Sequence, residues 1–231
     1  MTDRFIRQTA LPEIGIAGQV RLQQARVLLV GVGGLGSPIS LYLAAAGIGT
    51  LGLMDDDRVS ISNLQRQVLY TETEVGLPKV ECAAQRLKAL HSKLQVETYN
   101  CRLTAENVEN LVGRYDIVVD GCDNFDTRYL LNDACMSLGK PFVYGAIQEF
   151  EGQVSVFGYG EHPRSYRELY PDESAMKQLT PVKAVMGVTP AVTGSIQANE
   201  VLKIAAGYGE VLSGRLWTID LRNLQNFILE F

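Results

Sequence analysis

Residues 27–67 of the chain read VLLVGVGGLGSPISLYLAAAGIGTLGLMDDDRVSISNLQRQ, and this stretch decides the fold. An apolar run ends in the glycine-rich turn 31–36, an amphipathic stretch follows, and a second apolar run ends at Asp55. Strand, glycine turn, helix, strand and acid is the order found in dinucleotide-binding folds. In those folds the glycines let the backbone approach a phosphate at the helix N-terminus. The stretch therefore predicts a nucleotide site, with Asp55 binding ribose hydroxyls.

The same alternation of segments continues along the chain. Further strands are predicted at 94–100, 115–120, 141–146 and 152–157, and helices at 78–91, 105–112, 126–138 and 188–206. Strands that alternate with helices indicate an α/β, Rossmann-like fold, with one mostly parallel sheet and helices on both faces. Terminal strands at 216–221 and 226–229 indicate a C-terminal antiparallel extension. We expect residues 1–231 to form a single domain.

Composition excludes several classes of protein. A net charge of -5 argues against a nucleic-acid partner held by phosphate contacts. No run of about 18 apolar residues indicates a membrane span, and the first residues lack the apolar core of a signal peptide. Four cysteines fall in no CxxC pair and are expected to be buried or half-buried reduced thiols. The sequence therefore predicts a cytoplasmic protein.

Only two histidines occur, which removes most imidazole chemistry. A Ser-His-Asp triad or a histidine-based zinc site would have to use His91 or His162. His91 follows an amphipathic stretch and is expected at the surface, at the end of a helix. We expect catalysis here to proceed without imidazole.

Charged residues downstream of the glycine turn indicate a triphosphate rather than a dinucleotide. Asp56 and Asp57 beside Asp55 repel one another, and either Arg58 or a magnesium ion would relieve the repulsion. No Walker lysine follows the turn, so the site is not a P-loop. Arg66 and Lys79 are the candidates for the positive charge that a triphosphate requires.

A second acidic group follows the apolar strand 115–120. Asp123 and Asn124 are expected at its carboxyl end, in the same crevice as the glycine turn, because ligands of such folds bind at strand carboxyl ends. Asp126 is expected to cap the next helix, which leaves Asp123 free to bind Mg²⁺. The segment 158–187 has no clear period and carries three prolines. It is predicted to be a mobile crossover loop.

Four motifs carry a resemblance to a known family: GVGGLG, DDDRVSISNLQRQ, GLPKVE around Lys79 and DGCDN around Asp123. Together they resemble the ThiF/MoeB/HesA family of ubiquitin-activating-type adenylyltransferases, over nearly the whole chain. The resemblance implies ATP- and Mg²⁺-dependent adenylation of the C-terminal glycine of a ubiquitin-like sulfur carrier of the ThiS or MoaD type. The product would serve thiamine or molybdopterin synthesis. The resemblance also implies that the protein is a homodimer.

The resemblance implies roles for individual residues. Asp123 would be the metal ligand and, with Arg66, Lys79 and Arg7, would act in catalysis, Arg7 reaching the phosphates across the dimer interface. The nucleotide site would comprise Gly31, Gly33, Gly34, Gly36, Asp55, Asp57, Ser62, Asn63, Gln65, Arg66, Lys79, Asp123 and Asn124.

Two departures from the family pattern limit what is carried over. Some members hold zinc with two CxxC pairs, but here residues 165–168 read SYRE and no second pair follows. Zinc is therefore not expected. Some members also carry a reactive cysteine in the loop before the last large helix, where this chain reads LTPVKAVMGV. A separate sulfur donor is expected instead.

Two other functions remain open from sequence. One is a non-catalytic module that binds a ubiquitin-like carrier, which the intact charged set argues against. The other is an NAD-dependent Rossmann oxidoreductase, which the absence of a plausible proton donor and the presence of Arg66 and Lys79 argue against.

Overall fold

The computed structural model describes residues 3–179 and 184–231, and in this part of the chain one eight-stranded sheet forms the centre of the fold. The strands are β1 (Arg26–Val30), β2 (Thr50–Met54), β3 (Gln95–Tyr99), β4 (Ile117–Asp120), β5 (Phe142–Gln148), β6 (Glu151–Phe157), β7 (Arg215–Asp220) and β8 (Gln225–Glu230). Their order is β3-β2-β1-β4-β5-β6-β7-β8. Strands β1 to β5 run parallel, and β6 to β8 continue the sheet antiparallel. The predicted fold class is confirmed.

Helices cover both faces of the sheet. They are α1 (Ile6–Thr9), α2 (Gly15–Gln24), α3 (Gly36–Ala46), α4 (Lys79–Leu90), α5 (Val108–Gly113), α6 (Phe125–Leu138), α7 (Tyr166–Leu169), α8 (Glu173–Gln178) and α9 (Val188–Ala206). Alternate residues of β1 enter different cores, because successive strand side chains point to opposite faces. Val27 and Leu29 join the core that includes α3, α4 and α9, whereas Leu28 and Val30 join the core that includes α5 and α6.

Strands β2 and β3 are added to the sheet on one side of β1, whereas β4 and the later strands are added on its other side. A crevice opens between β1 and β4, at their carboxyl ends. Gly31 follows β1 with a φ of 91°, and a Cβ there would lie 2.5 Å from the carbonyl of Gly121, which follows β4. Only glycine combines this φ with so close an approach. Two neighbouring strand ends thus meet at the point where ligands of doubly wound sheets bind.

The segment 158–187 is more regular than its sequence predicts. It contains α7, which starts with a capping box at Ser165, and α8, which is capped by Asp172. Tyr166 is buried, and Arg167 pairs with Asp133 of α6. Short side-chain caps define these helices, so a periodicity search over 30 residues misses them. Residues 180–183 of this predicted mobile loop lie outside the described residues.

Two other expectations about burial are wrong. His91 is buried, its Nδ1 lies 3.1 Å from the carbonyl oxygen of Ala44, and its ring contacts Phe5 edge-on. Cys101 is exposed, although the other three thiols are buried or half-buried. Helix α9 also buries a line of polar residues, Thr189, Thr193, Gln197 and Glu200. Tertiary contacts, not local pattern, decide these cases.

Among the described residues, no helix is both long and apolar enough to cross a membrane.

Candidate active site

A cavity of about 1230 Å³ opens at the carboxyl ends of the central strands. Ten of the predicted nucleotide-site residues lie in its wall: Gly31, Gly33, Gly34, Asp55, Asp57, Asn63, Arg66, Lys79, Asp123 and Asn124. Segments that are distant in sequence are brought together because parallel strands end at one edge of the sheet. Gly36, Ser62, Gln65 and Arg7 lie outside this wall.

The glycines of the turn have different roles. A Cβ at Gly36 would lie 2.3 Å from the carbonyl oxygen of Gly31, so Gly36 is required for the turn to close against itself. A Cβ at Gly33 would meet only the amide of Gln67, at 3.4 Å. Gly33 therefore leaves open space in the cavity wall. Helix α3 starts at this turn without a side-chain cap. Ser37 donates its N–H to the carbonyl oxygen of Gly33 and Pro38 has no N–H, so the N–H groups that can donate to an anion are those of the turn that precedes Ser37.

Asp55 is oriented by its own backbone surroundings. Its Oδ2 accepts a hydrogen bond from the backbone N–H of Val32 at 2.8 Å, and its Oδ1 accepts one from that of Asp57 at 2.9 Å. Burial raises the pKa of the Asp55 carboxyl, although Lys79 and the two N–H groups oppose the shift. Each oxygen keeps a further lone pair, so the carboxylate can accept two hydroxyl hydrogen bonds from a ribose.

The acidic run Asp55-Asp56-Asp57 has a protein neutraliser. The carboxylates approach within 4.8 Å of one another, and Asp57 Oδ2 lies 2.8 Å from the ammonium of Lys79. Arg58, one of the two neutralisers expected, instead donates to the carbonyl oxygen of Gly76. Lys79 is 4% exposed, whereas the Asp57 side chain is 69% exposed. A buried lysine thus stands beside the acidic run, at the first residue of α4.

Arg66 supplies the second positive charge of the wall. Its Nη1 donates to the carbonyl oxygen of Ser62 at 3.1 Å. Within the described ranges no acidic side chain pairs with Arg66. Its Cδ would lie 3.7 Å from a Cβ at Gly34, which places the arginine against the glycine turn. A guanidinium without an acidic partner, next to a helix N-terminus, suits an anion.

Asp123 is exposed in the cavity and has no hydrogen bond or ion pair to any residue that the structure describes. The expected cap at Asp126 is wrong, because Asn124 caps α6 by accepting from the backbone N–H of Thr127 at 2.9 Å. Either assignment leaves Asp123 available.

Three of the predicted residues lie outside the wall for different reasons. Arg7 is exposed on α1, and Gln65 is exposed with its backbone carbonyl against Gly187. The backbone carbonyl of Ser62 accepts a hydrogen bond from Arg66.

Several wall residues were not identified from sequence. Arg128 forms a buried ion pair with Asp120 directly below the turn that carries Asp123. The sequence did contain a signal for this pair: Asp120 ends the apolar run IVVD, and a buried carboxylate requires a partner. The wall also includes apolar and aromatic residues from segments that no motif links: Tyr144, Ile147, Tyr170, Met176, Leu179, Val185 and Phe227.

Comparison with known proteins gives consistent matches. A model of the ThiF family matches residues 5–230. The sulfur carrier protein adenylyltransferase of Thermus thermophilus is 49% identical over 224 residues, which cover 94% of this chain and 83% of that protein. The adenylyltransferase and sulfurtransferase MOCS3 of Culex quinquefasciatus is 47% identical, and the match covers 94% of this chain and 50% of that protein. The chain thus spans most of one relative and about half of the other.

A solved structure of similar fold is that of Escherichia coli MccB with ATP. It has a TM-score of 0.87 and 24% identity, and the match covers 100% of this chain and 72% of that one. At this level of identity the likeness shows the fold alone.

Proposed function

This chain belongs to the ThiF family, and from that membership and the geometry of the crevice we propose that it adenylates a ubiquitin-like sulfur carrier. The substrates are ATP and the C-terminal glycine of a ThiS- or MoaD-like protein that serves thiamine or molybdopterin synthesis. One carboxylate oxygen of the glycine bonds to the α-phosphorus, the bond from that phosphorus to the bridging oxygen of the β-phosphate breaks, and pyrophosphate leaves. We place the reaction in the cytoplasm, where ATP is supplied.

The proposal rests on one observation: the glycine turn, the carboxylate of Asp55 and the cationic side chains of Arg66 and Lys79 line the same cavity. Backbone N–H groups of the turn bind phosphate oxygens, Asp55 binds the ribose, and Arg66, Lys79 and Asn63 surround the triphosphate. A C-terminal carboxylate has a pKa of about 3.5 and is already ionised near neutral pH. No general base is therefore needed, which agrees with a cavity wall that contains no histidine among the described residues.

Magnesium fits the donor set. Mg²⁺ prefers carboxylate oxygens and keeps several waters, and Asp123 offers an exposed carboxylate without a protein partner. When bound, the ion would supply positive charge that stabilises the charge developing on pyrophosphate. Asp123 would hold the ion, while Arg66 and Lys79 would orient the phosphates against the incoming carboxylate.

We propose further that the chain holds no structural zinc and takes sulfur from a separate donor. Its four cysteines form no CxxC pair, and none falls between residues 136 and 231. Elemental analysis of the purified protein should find less than stoichiometric zinc. One zinc ion per chain would contradict this part of the proposal.

Apolar side chains in the cavity wall suit the extended tail of the carrier. Met176, Leu179 and Val185 of the segment 158–187 lie in this wall, as do Ile147 and Phe227. We propose that the segment closes over the tail when the carrier binds. Hydrogen exchange over residues 158–187 should slow on addition of a cognate carrier with ATP. Equal and strong protection with and without carrier would contradict closure but not adenylation.

A homodimer explains the position of Arg7. Arg7 is exposed on α1 and lies outside the cavity wall of its own subunit, and Ile6, Leu11 and Ile16 nearby are exposed apolar residues. We propose that α1 and α2 meet a second copy and that Arg7 completes the partner's site. Arg7→Ala and Asp123→Asn proteins, each of strongly reduced activity, should regain part of the activity when they are mixed, because one site of each mixed dimer is intact. Sedimentation as a monomer would contradict the proposal.

Carrier-dependent exchange of labelled pyrophosphate into ATP tests the function directly. Arg66→Ala and Lys79→Ala should each lower exchange by about 10²-fold, the typical effect of one group that stabilises developing charge. Arg58→Ala is the matched control, since Arg58 is exposed and lies outside the wall. Wild-type protein that binds ATP and carrier without exchange would indicate a non-catalytic binding module. Micromolar NAD binding without ATP binding, measured by calorimetry, would indicate an oxidoreductase.

A further inference from the structure

A buried ion pair lies directly below the turn 121–124. Asp120 is fully buried at the end of β4, and its Oδ2 lies 2.9 Å from Nε of Arg128 on α6. Arg128 is 7% exposed. Most other bonds of this pair go to one residue. Asp120 Oδ1 accepts from the backbone N–H of Cys122 at 2.9 Å and from its thiol at 2.7 Å, and Arg128 Nη2 donates to the carbonyl oxygen of Cys122 at 3.0 Å and to that of Gly145 at 3.4 Å. The pair therefore fixes both backbone polar groups of the residue that precedes Asp123.

A third side chain holds the same strand end from the opposite face. Gln197 of α9 is fully buried and donates through Nε2 to the carbonyl oxygen of Asp120 at 2.7 Å. On the next strand, Gly31 packs against Gly121 so closely that neither position admits a Cβ. The turn is thus held by α6, α9 and β1 together.

Stability alone does not account for this arrangement. Two buried charges lose much of their hydration, and apolar residues of similar volume commonly stabilise a core as well or better. Asp123, in contrast, is exposed and forms no side-chain hydrogen bond or ion pair with any residue in the described ranges. The position of its carboxylate therefore depends on the backbone of the turn, and within that turn the buried pair bonds both backbone polar groups of Cys122, the residue before Asp123.

We propose that Asp120 and Arg128 are positioning residues, which hold the turn so that the Asp123 carboxylate meets the magnesium ion of MgATP. The inference rests on the proposed function, in which Asp123 is the metal ligand. Groups that orient a metal ligand typically contribute tenfold to a hundredfold to metal affinity or activity. Lysine at position 128 keeps the charge but loses the rigid planar fork that bonds Asp120 through Nε and the carbonyl of Cys122 through Nη2.

A double-mutant cycle between Arg128→Lys and Asp123→Asn tests the inference. The readouts are pyrophosphate exchange and the gain in ATP affinity on adding Mg²⁺, measured by calorimetry. Arg128→Lys should lower exchange by about tenfold or more and reduce the Mg²⁺-dependent gain, while ATP affinity in EDTA stays within about twofold. In the Asp123→Asn background the same substitution should change neither readout by more than about twofold, because residues acting through one group are not additive.

Arg21→Lys is the matched control, since Arg21 also donates to a backbone carbonyl, that of Ala206, but lies outside the cavity wall. If Arg128→Lys does not fold, the double variant Asp120→Asn/Arg128→Met takes its place in the cycle, because it leaves no unpaired buried charge. Full additivity would overturn the inference, since Arg128 would then act on substrate itself. Wild-type Mg²⁺ dependence in the folded variant would also overturn it. A wild-type protein that neither binds MgATP nor exchanges pyrophosphate would overturn the proposed function as well.

Discussion

Substitution of Asp57, an exposed residue, should destabilise the protein more than substitution of its buried partner Lys79. The Asp57 side chain is 69% exposed and that of Lys79 is 4% exposed. Asp57→Ala leaves a buried ammonium without its contact at 2.8 Å. Loss of one partner of a fully buried pair costs about 3–5 kcal/mol. The nearby Asp55 carboxylate and the open cavity moderate this, so we expect about 2 kcal/mol, or about 4–8 °C in Tm.

Lys79→Met should cost about 1 kcal/mol or less, because the carboxylate of Asp57 remains in water. The free energy of unfolding, measured by urea denaturation of both variants without nucleotide, tests the order. Asp56→Ala is the control, since Asp56 is the exposed neighbour of Asp57 and has no ion pair among the described residues. It should stay within about 0.5 kcal/mol of wild type. If Asp57→Ala resembles Asp56→Ala, or if Lys79→Met is the costlier change, the assignment of Lys79 as a desolvated, paired ammonium is wrong.

Two further predictions concern the glycine turn and the opposite end of the sheet. The free energy of unfolding of Gly33→Ala should stay within about 0.5 kcal/mol of wild type, because its Cβ has room. The same variant should bind ATP about tenfold more weakly in calorimetry, a loss of about 1.4 kcal/mol. Gly36→Ala, whose Cβ would lie 2.3 Å from a backbone oxygen, should yield no folded protein by circular dichroism. Burial alone would raise the pKa of Glu97, but hydrogen bonds from Tyr115 and Arg26 outweigh it and lower the pKa from 4.5 to about 2. The folded state thus favours the ionised form of Glu97, so the stabilisation is complete above about pH 4.5 and is lost as the pH falls through about 2. Glu97→Gln should lower the free energy of unfolding by about 2 kcal/mol at pH 7, after allowance for exposure, and by much less at pH 3 in urea denaturation. An equal loss at both pH values would refute the assignment.

The regular elements near the site were predictable because their signals are local. An apolar run followed by Gly31 and an amphipathic stretch specifies strand, turn and helix within about twenty residues. The rule that ligands bind at strand carboxyl ends then placed Asp55 and Asp123 in one crevice, as the structure has them. Helices α7 and α8 were missed because single caps, such as that of Ser165, define them rather than a repeating pattern.

The partners of charged side chains were not predictable in the same way. Sequence distance suggested Arg58 as the neutraliser of the acidic run, whereas Lys79 occupies that position because α4 starts next to it in space. Proximity in sequence likewise suggested that His91 stays in water at the end of its helix, yet the N-terminal segment covers it through Phe5. A charged or polar side chain is paired by whichever group the fold brings within about 3 Å, and sequence separation has no bearing on that distance.

By itself, the sequence determined the α/β class, the glycine turn and the chemical types present at the crevice, because periodicity, backbone freedom and residue charge are properties of short segments. Only the tertiary structure decided that Gly36 closes the turn while Gly33 faces the cavity, that Asn124 rather than Asp126 caps α6, and that Asp120, Arg128 and Gln197 hold the turn of Asp123 from two faces. Each of these depends on contacts between α6, α9 and the sheet, which exist only once the hydrophobic cores on both faces have packed.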